Sequence, residues 1–76
     1  MPMDKVITPN EAWDDFFVWI KTQPAWAAMA LKDKQYIYRA NSDRAKGWVI
    51  DRRIKTILEK HAPARYEFRG VVIIHE

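Results

Sequence analysis

The first clear pattern along the chain is an apolar stripe with the period of an α-helix. Its members recur at i, i+3, i+4 and i+7, and two further residues widen it: Trp13, Phe16, Phe17 and Ile20, with Ala12 and Trp19. The preceding stretch TPNE has the signals of a helix start, since Thr8 can act as cap and Pro9 suits the first helical position. Glu11 can reach back to the cap N–H. The pattern predicts an amphipathic helix that begins after Thr8.

A second helix is predicted after Pro24. Proline cannot continue the first helix, but it suits the first turn of a new one, with Thr22 or Gln23 as the cap. The pattern extends this helix through AWAAMALK. Small alanines flank its two large apolar residues and would let two helix backbones approach closely, so we expect the segment to pack into the core.

Residues 33–41, DKQYIYRAN, fit two structures. Tyr36, Ile37 and Tyr38 favour a strand by residue type, whereas the absence of Gly and Pro would let the second helix continue to Ala40. Of the two, we favour an extended or irregular connector.

A third helix is predicted to end before Pro63. Ser42 or Asp43 is the expected cap, although Gly47 would cost about 1 kcal/mol relative to alanine inside a helix. A start near Trp48 is therefore the alternative. The apolar stripe of this helix is predicted to comprise Ile50, Ile54, Ile57, Leu58 and His61.

The C-terminal stretch ARYEFRGVVIIHE is rich in β-branched and aromatic residues, which are typical of strands. An Arg-Gly turn would pair RYEF with VVII in a β-hairpin. With a two-residue turn, Tyr66 and Phe68 share a face with Val71 and Ile73. In one straight strand they share it with the even-numbered residues of VVII instead.

The predicted elements give an α+β fold of three helices followed by a C-terminal β-hairpin. This order resembles the layout of a winged helix-turn-helix domain, although no motif supports the resemblance. In that layout the third helix enters the major groove of DNA and the hairpin touches the backbone or the minor groove. At 76 residues, the chain is expected to form a single small domain, residues 1–76. A domain of this size buries a small share of its surface, so we expect its stability to be marginal.

Composition narrows the class of protein. The chain has no Cys, which excludes disulfides and thiolate metal sites, and its apolar runs are too short for a signal peptide or a membrane span. We therefore expect a cytoplasmic protein without a metal or cofactor. Charge is uneven: residues 1–38 carry a net −1 and residues 39–76 a net +4, which favours a polyanionic partner.

The predicted third helix carries the candidate chemistry. Trp48 lies four residues after Arg44 and four before Arg52, so a helix would bracket its ring with two guanidinium groups. Such a face suits stacking and phosphate binding, and we expect a small regulator of transcription that binds double-stranded DNA, as a dimer if it is sequence-specific. The predicted nucleic-acid-binding residues are Arg44, Lys46, Trp48, Arg52, Arg53, Lys55, Lys60, Arg65 and Arg69.

Two alternatives compete with that function. Asp43, Asp51, Glu59 and Glu67 lie on or beside the same elements and repel phosphate, so the charged face could simply be solvated. The apolar C-terminal strand could instead act as an edge that adds to a partner sheet or to a second copy, through Val71, Val72, Ile73 and Ile74.

Catalysis is the least favoured class. It would have to use His61, His75 and the carboxylates, and the only two glycines rule out a Gly-rich phosphate loop. We expect a non-enzymatic binding protein.

Overall fold

The structure, a computed structural model, describes residues 4–48 and 51–75. It confirms the predicted α+β class, with helices followed by a C-terminal hairpin compatible with the winged-helix-like layout, and it adds one helix and one strand. The elements in chain order are β1 (Lys5–Ile7), α1 (Pro9–Ile20), α2 (Pro24–Ala28), α3 (Leu31–Ala45), α4 (Asp51–His61), β2 (Tyr66–Arg69) and β3 (Val71–Ile74).

The start of α1 is the capping box predicted from the sequence. The Glu11 N–H donates to Thr8 Oγ1 at 3.2 Å, and the Thr8 N–H donates to Glu11 Oε1 at 3.2 Å. The predicted stripe is also confirmed, because Trp13, Phe16 and Ile20 are each at most 1% exposed. α1 therefore supplies the large side chains at the centre of the core.

α2 is shorter than predicted. It ends at Ala28, and Met29 takes an extended conformation with φ −71° and ψ 141° before α3 begins. Trp26 and Met29 pack partly against the core, but no residue of α2 is fully buried and the alanines face solvent. The prediction of a close helix pair at these alanines is wrong, because all of them are exposed, and α1 makes side-chain contacts with α3 such as Trp13–Asn41 and Phe17–Tyr38.

The prediction of an extended or irregular connector over residues 33–41 is also wrong, since the whole segment lies inside α3. Ile37 and Ala40 are fully buried, whereas Tyr36 and Tyr38 are about half exposed. A buried pair spaced i, i+3 is helical, and its packing outweighs the strand preference of the three residues Tyr-Ile-Tyr.

Gly47 ends a helix rather than interrupting one. The Trp48 N–H donates to the Asp43 carbonyl and the Gly47 N–H to the Arg44 carbonyl, both at 2.9 Å, and Gly47 has a positive φ of 77°. This is the bonding of a glycine-terminated helix. Asp43 and its neighbour Ser42 thus lie in the last turns of α3. The prediction that one of them caps the next helix is wrong.

The rest of the predicted third helix is α4. Its residues Ile54, Ile57 and Leu58 are at most 2% exposed, which confirms that part of the stripe. His61 is partly buried beside Phe16, with ring centroids 6.4 Å apart. The remaining predicted member of the stripe, Ile50, lies outside the described residues.

The hairpin is confirmed, but its register differs from that of a two-residue turn. Arg69 pairs with Val71 across Gly70, which has a φ of 73°, and Phe68 pairs with Val72. The aromatic residues of β2 therefore share their face with the even-numbered residues of β3, which are buried against the helices. Burial of that apolar face is what fixes the register.

β1 was not predicted, because a three-residue strand gives too short a pattern. It pairs with β3, so the sheet order is β1-β3-β2 and β3 lies at the centre. The prediction that Val71–Ile74 forms a free edge is therefore wrong, since both sides of its backbone are hydrogen-bonded within the chain.

α1 and α4 cover one face of the sheet. α1 and α4 pack against each other and against the strands. α3 contacts α1 through the Trp13–Asn41 hydrogen bond and α4 through ion pairs. Ion pairs Asp33–Lys60 at 3.7 Å and Asp43–Arg53 at 3.0 Å join opposite ends of α3 and α4, so these helices are antiparallel. The outward side of α3 and the adjoining flank of α4 consequently form one continuous surface.

Candidate nucleic-acid interface

The residues predicted to bind nucleic acid do not share one helix face. Arg44 belongs to α3, Lys46 is its C-cap, and Trp48 follows in the turn, ahead of α4. Trp48 is therefore not bracketed on a helix by Arg44 and Arg52, contrary to the prediction. It is 68% exposed, and the Lys46 Nζ lies 4.9 Å from the centroid of its ring.

Most of the predicted cations are paired with carboxylates of the same chain. Six of the eight predicted cations are paired: Arg44–Asp14 at 2.8 Å, Arg53–Asp43 at 3.0 Å, Lys55–Glu59 at 3.8 Å, Lys60–Asp33 at 3.7 Å, Arg65–Asp15 at 3.2 Å, and Arg69–Glu67. Among the described residues, Lys46 and Arg52 have no such partner. A paired cation attracts phosphate less strongly, because its partner repels it.

Arg65 makes its contacts within the fold, and its side chain is only 22% exposed. Its guanidinium group contacts the Asp15 carboxylate and the Tyr66 hydroxyl, and lies 5.0 Å from the ring centroid of Trp19. The Tyr66 hydroxyl donates to the same carboxylate. Burial, and then this hydrogen bond to Asp15, raise the pKa of Tyr66 well above its ordinary value. These groups tie α1 to the start of β2.

Arg52 and Lys55 lie on another side of α4. They border a cleft closed by Phe68 and Gly70 of the hairpin, and the Asp51 side chain lines the same cleft. The carboxylate opposes phosphate there, so this end of α4 is a weaker candidate than the flank that faces α3.

The hairpin is the site of a histidine bridge. His75 Nδ1 lies 3.2 Å from Asp4 Oδ1, and His75 Nε2 lies 3.0 Å from Glu67 Oε1. Both ring nitrogens can donate only when the imidazole is protonated. The hydrogen bond to Glu67, and then that to Asp4, raise the pKa of His75; the pKa of Glu67 is lowered, first by the bond from His75. The bridge ties together the ends of all three strands.

We expect this bridge to make stability depend on pH. Because the pKa of His75 is raised on folding, its contribution is complete below the ordinary value of 6.5 and is lost as pH rises through the raised value. Because the pKa of Glu67 is lowered, its contribution is complete above the ordinary value of 4.5 and is lost as pH falls through the lowered one. Urea unfolding at a series of pH values should therefore show the largest difference between wild type and His75→Gln between those two ordinary values.

His61→Gln serves as the control, because the pKa of His61 is shifted in the opposite direction from that of His75. Burial, and then the Lys60 charge, lower the pKa of His61, so the stability it contributes is lost as pH falls through 6.5 toward the lowered value. A pH profile of His75→Gln that parallels that of wild type would contradict the bridge.

The outward side of α3 holds a row of three cations, of which sequence reasoning identified only Lys46. Lys32, Arg39 and Lys46 recur every seven residues, and Lys46 keeps a helical conformation with φ −90° and ψ 0°. Seven residues are about 10 Å along a helix. None of the three is ion-paired with a carboxylate of the described residues. The spacing is visible in the sequence, but it has meaning only if residues 33–41 are helical.

Aromatic rings accompany these cations. Tyr36 is 47% exposed and lies with Lys32 and Arg39 around a shallow concavity of α3. The Arg53 guanidinium of α4 lies 5.3 Å from the centroid of the Tyr36 ring. Trp48 lies at the far end of the row beside Lys46.

We refer to this region as the α3–α4 surface. It comprises Lys32, Tyr36, Arg39, Lys46, Trp48, Arg53 and Lys60, together with Asp33 and Asp43. Five cations against two carboxylates leave an excess of three positive charges, which equals the net charge of +3 of the whole chain. The rest of the sequence has as many cations as carboxylates, so this surface has the formal excess of positive charge.

No protein-family model, no curated protein and no solved structure matches this chain. Within residues 4–48 and 51–75, no three potential metal ligands converge. None of the helices described has both the length and the apolarity needed to cross a bilayer.

Proposed function

We propose that this protein binds nucleic acid through the α3–α4 surface, as a non-enzymatic regulator. The observation that carries the proposal is the row Lys32, Arg39 and Lys46, regularly spaced and without carboxylate partners among the described residues. Cations in such a row can each neutralise a phosphate and release a counterion, which is the main source of affinity for a polyanion. Arg53 and Lys60 of α4 lie beside this row, but each is paired with a carboxylate of α3, so the excess positive charge is that of the row itself.

The carboxylates on this surface do not counter the proposal. Asp33 is held by Lys60 and Asp43 by Arg53, so neither faces the cation row with an unbalanced charge. The hairpin contributes less than its place in a winged-helix layout would suggest, because Arg69 is paired with Glu67.

The test is a salt titration of binding with two matched double variants. Lys32→Gln/Arg39→Gln removes two charges from the surface, and Lys21→Gln/Lys34→Gln removes two from side chains that cover the rings of Phe17 and Trp26. Fluorescence anisotropy with a labelled oligonucleotide gives the slope of log affinity against log salt. We expect the first variant to make the slope shallower by about 1.4 to 1.8, and the second to leave it near that of wild type.

Equal effects of the two double variants would place the binding elsewhere on the protein. The complete absence of binding at low salt would refute the function.

We propose as a second function that the protein associates with itself through the outer face of the sheet. Val6 is 63% exposed and Val71 is 43% exposed, and the strand register places both on the face that none of the described helices covers, together with Ile73, the partner of Val6. We propose a second copy of the chain as the occupant of this face. Sedimentation velocity over a concentration series should show a dimer that Val6→Lys removes; a strict monomer at the highest concentration would refute it.

A further inference from the structure

We infer, resting on the proposed function of the α3–α4 surface, that the nucleic acid it takes is single-stranded, with unpaired bases stacked on Tyr36 and Trp48. The two exposed rings, each beside a cation, carry this step. Duplex DNA, the partner expected from the sequence, is the competing outcome.

Tyr36 is placed to receive a base. It lies inside the cation row, four residues after Lys32 and three before Arg39, and is 47% exposed. The Arg53 guanidinium lies over the ring at 5.3 Å, and Asp43 holds that guanidinium with a hydrogen bond of 3.0 Å. One side of the ring is thus backed by a fixed cation while half of the residue stays open to solvent. A base stacked on Tyr36 would complete a layered arrangement of guanidinium, phenol and base.

Trp48 is a second exposed ring beside a cation, just after the end of α3. It is 68% exposed, with the Lys46 Nζ 4.9 Å from its ring centroid. Gly47 fixes the direction of the chain there through the bonds that end the helix. The ten residues from Tyr36 to Lys46 span about 15 Å, so the two rings would engage separate bases of one strand while Arg39 meets the phosphates between them.

A duplex would not use these rings. In double-stranded DNA the base faces are stacked on one another, and a helix in the major groove reads base edges through polar side chains. A ring laid against a duplex would meet sugar and phosphate instead. Stacking on aromatic rings along a positively charged track is the mode of proteins that bind unpaired strands, and it tolerates any sequence because every base has a π face.

The experiment compares oligodeoxythymidine with a duplex of equal length, using wild type and ring variants checked for folding by thermal melting. Wild type should bind the single strand more tightly. Tyr36→Leu and Trp48→Leu should each weaken binding of oligodeoxythymidine by about 5- to 150-fold, the loss expected for one stacked base. Tyr36→Phe and Trp48→Phe keep a ring and should retain most of the affinity. The salt slope should not change in any ring variant, because no charge is removed.

Three outcomes are distinguishable. Preference for the single strand, with losses confined to the leucine variants, supports the inference. Equal or tighter binding of the duplex, with Tyr36→Leu and Trp48→Leu unaffected, overturns the inference but leaves the proposed function standing. No binding of either probe at low salt overturns both.

Discussion

Replacement of Phe16 by alanine is expected to lower the free energy of unfolding by about 3–5 kcal/mol. Phe16 has no exposed surface, and its ring meets those of Trp13, Trp19, His61 and Tyr66. Truncation opens a cavity where α1, α4 and the sheet come together. At about 0.05–0.15 kcal/mol per residue, the whole domain has only about 4–11 kcal/mol of stability, so this loss is a large fraction of it.

Urea unfolding followed by tryptophan fluorescence measures this change. Phe16→Leu, which leaves a smaller cavity and is expected to cost about 1–2 kcal/mol, keeps the measurement possible if the alanine variant does not fold. Val18→Ala is the matched control on the same helix, because Val18 is 66% exposed and its truncation should change stability by less than about 0.5 kcal/mol. If Phe16→Ala were no more destabilising than Val18→Ala, the core described above would be wrong.

Replacement of Asp15 by alanine is expected to lower the free energy of unfolding by about 2 kcal/mol. Asp15 accepts hydrogen bonds from Arg65 and from the Tyr66 hydroxyl, and Tyr66 is only 3% exposed. Asp15→Ala therefore leaves a buried hydroxyl and a largely buried guanidinium without their acceptor. Because the Asp15 side chain is 33% exposed, water partly replaces the lost contacts, which keeps the cost below that of a fully buried ion pair.

Its neighbour Asp14 provides a control of the same charge on the same helix. Asp14 pairs with Arg44 but its side chain is 61% exposed, so Asp14→Ala should cost less than about 1 kcal/mol. Tyr66→Phe removes the hydroxyl together with its need for a partner and should cost about 0.5–1.5 kcal/mol. In a double-mutant cycle, Asp15→Ala and Tyr66→Phe should be non-additive. Strict additivity would show that the hydroxyl and the carboxylate do not interact.

The candidate site shows where sequence reasoning fails. Arg53, Lys46, Lys60 and Trp48 were identified as binding residues, and all four lie on the α3–α4 surface. Of the other two cations of that surface, Arg39 belongs to the segment 33–41 interpreted as a connector, and Lys32 lies at the end of the predicted second helix. Residue types favoured a strand in segment 33–41, whereas the burial of Ile37 in the core favours the helix.

Gly47 shows the same limit. A glycine near polar residues fits either a weak point within a helix or the end of one, and the local pattern alone did not separate the two. In the structure, α3 ends at this glycine. Arg44 therefore belongs to α3, where it pairs with Asp14 of α1, and not to the predicted binding helix.

The sequence by itself determined the start and buried stripe of α1, the buried residues of α4, the presence of the C-terminal hairpin and the basic character of the second half. These are local properties, since capping, helical period and charge act over a few residues. The tertiary structure alone decided the hairpin register, the central position of β3, and which cations carboxylates neutralise. These depend on residues distant in sequence, because a strand acquires its second neighbour and an arginine its carboxylate only when the chain folds.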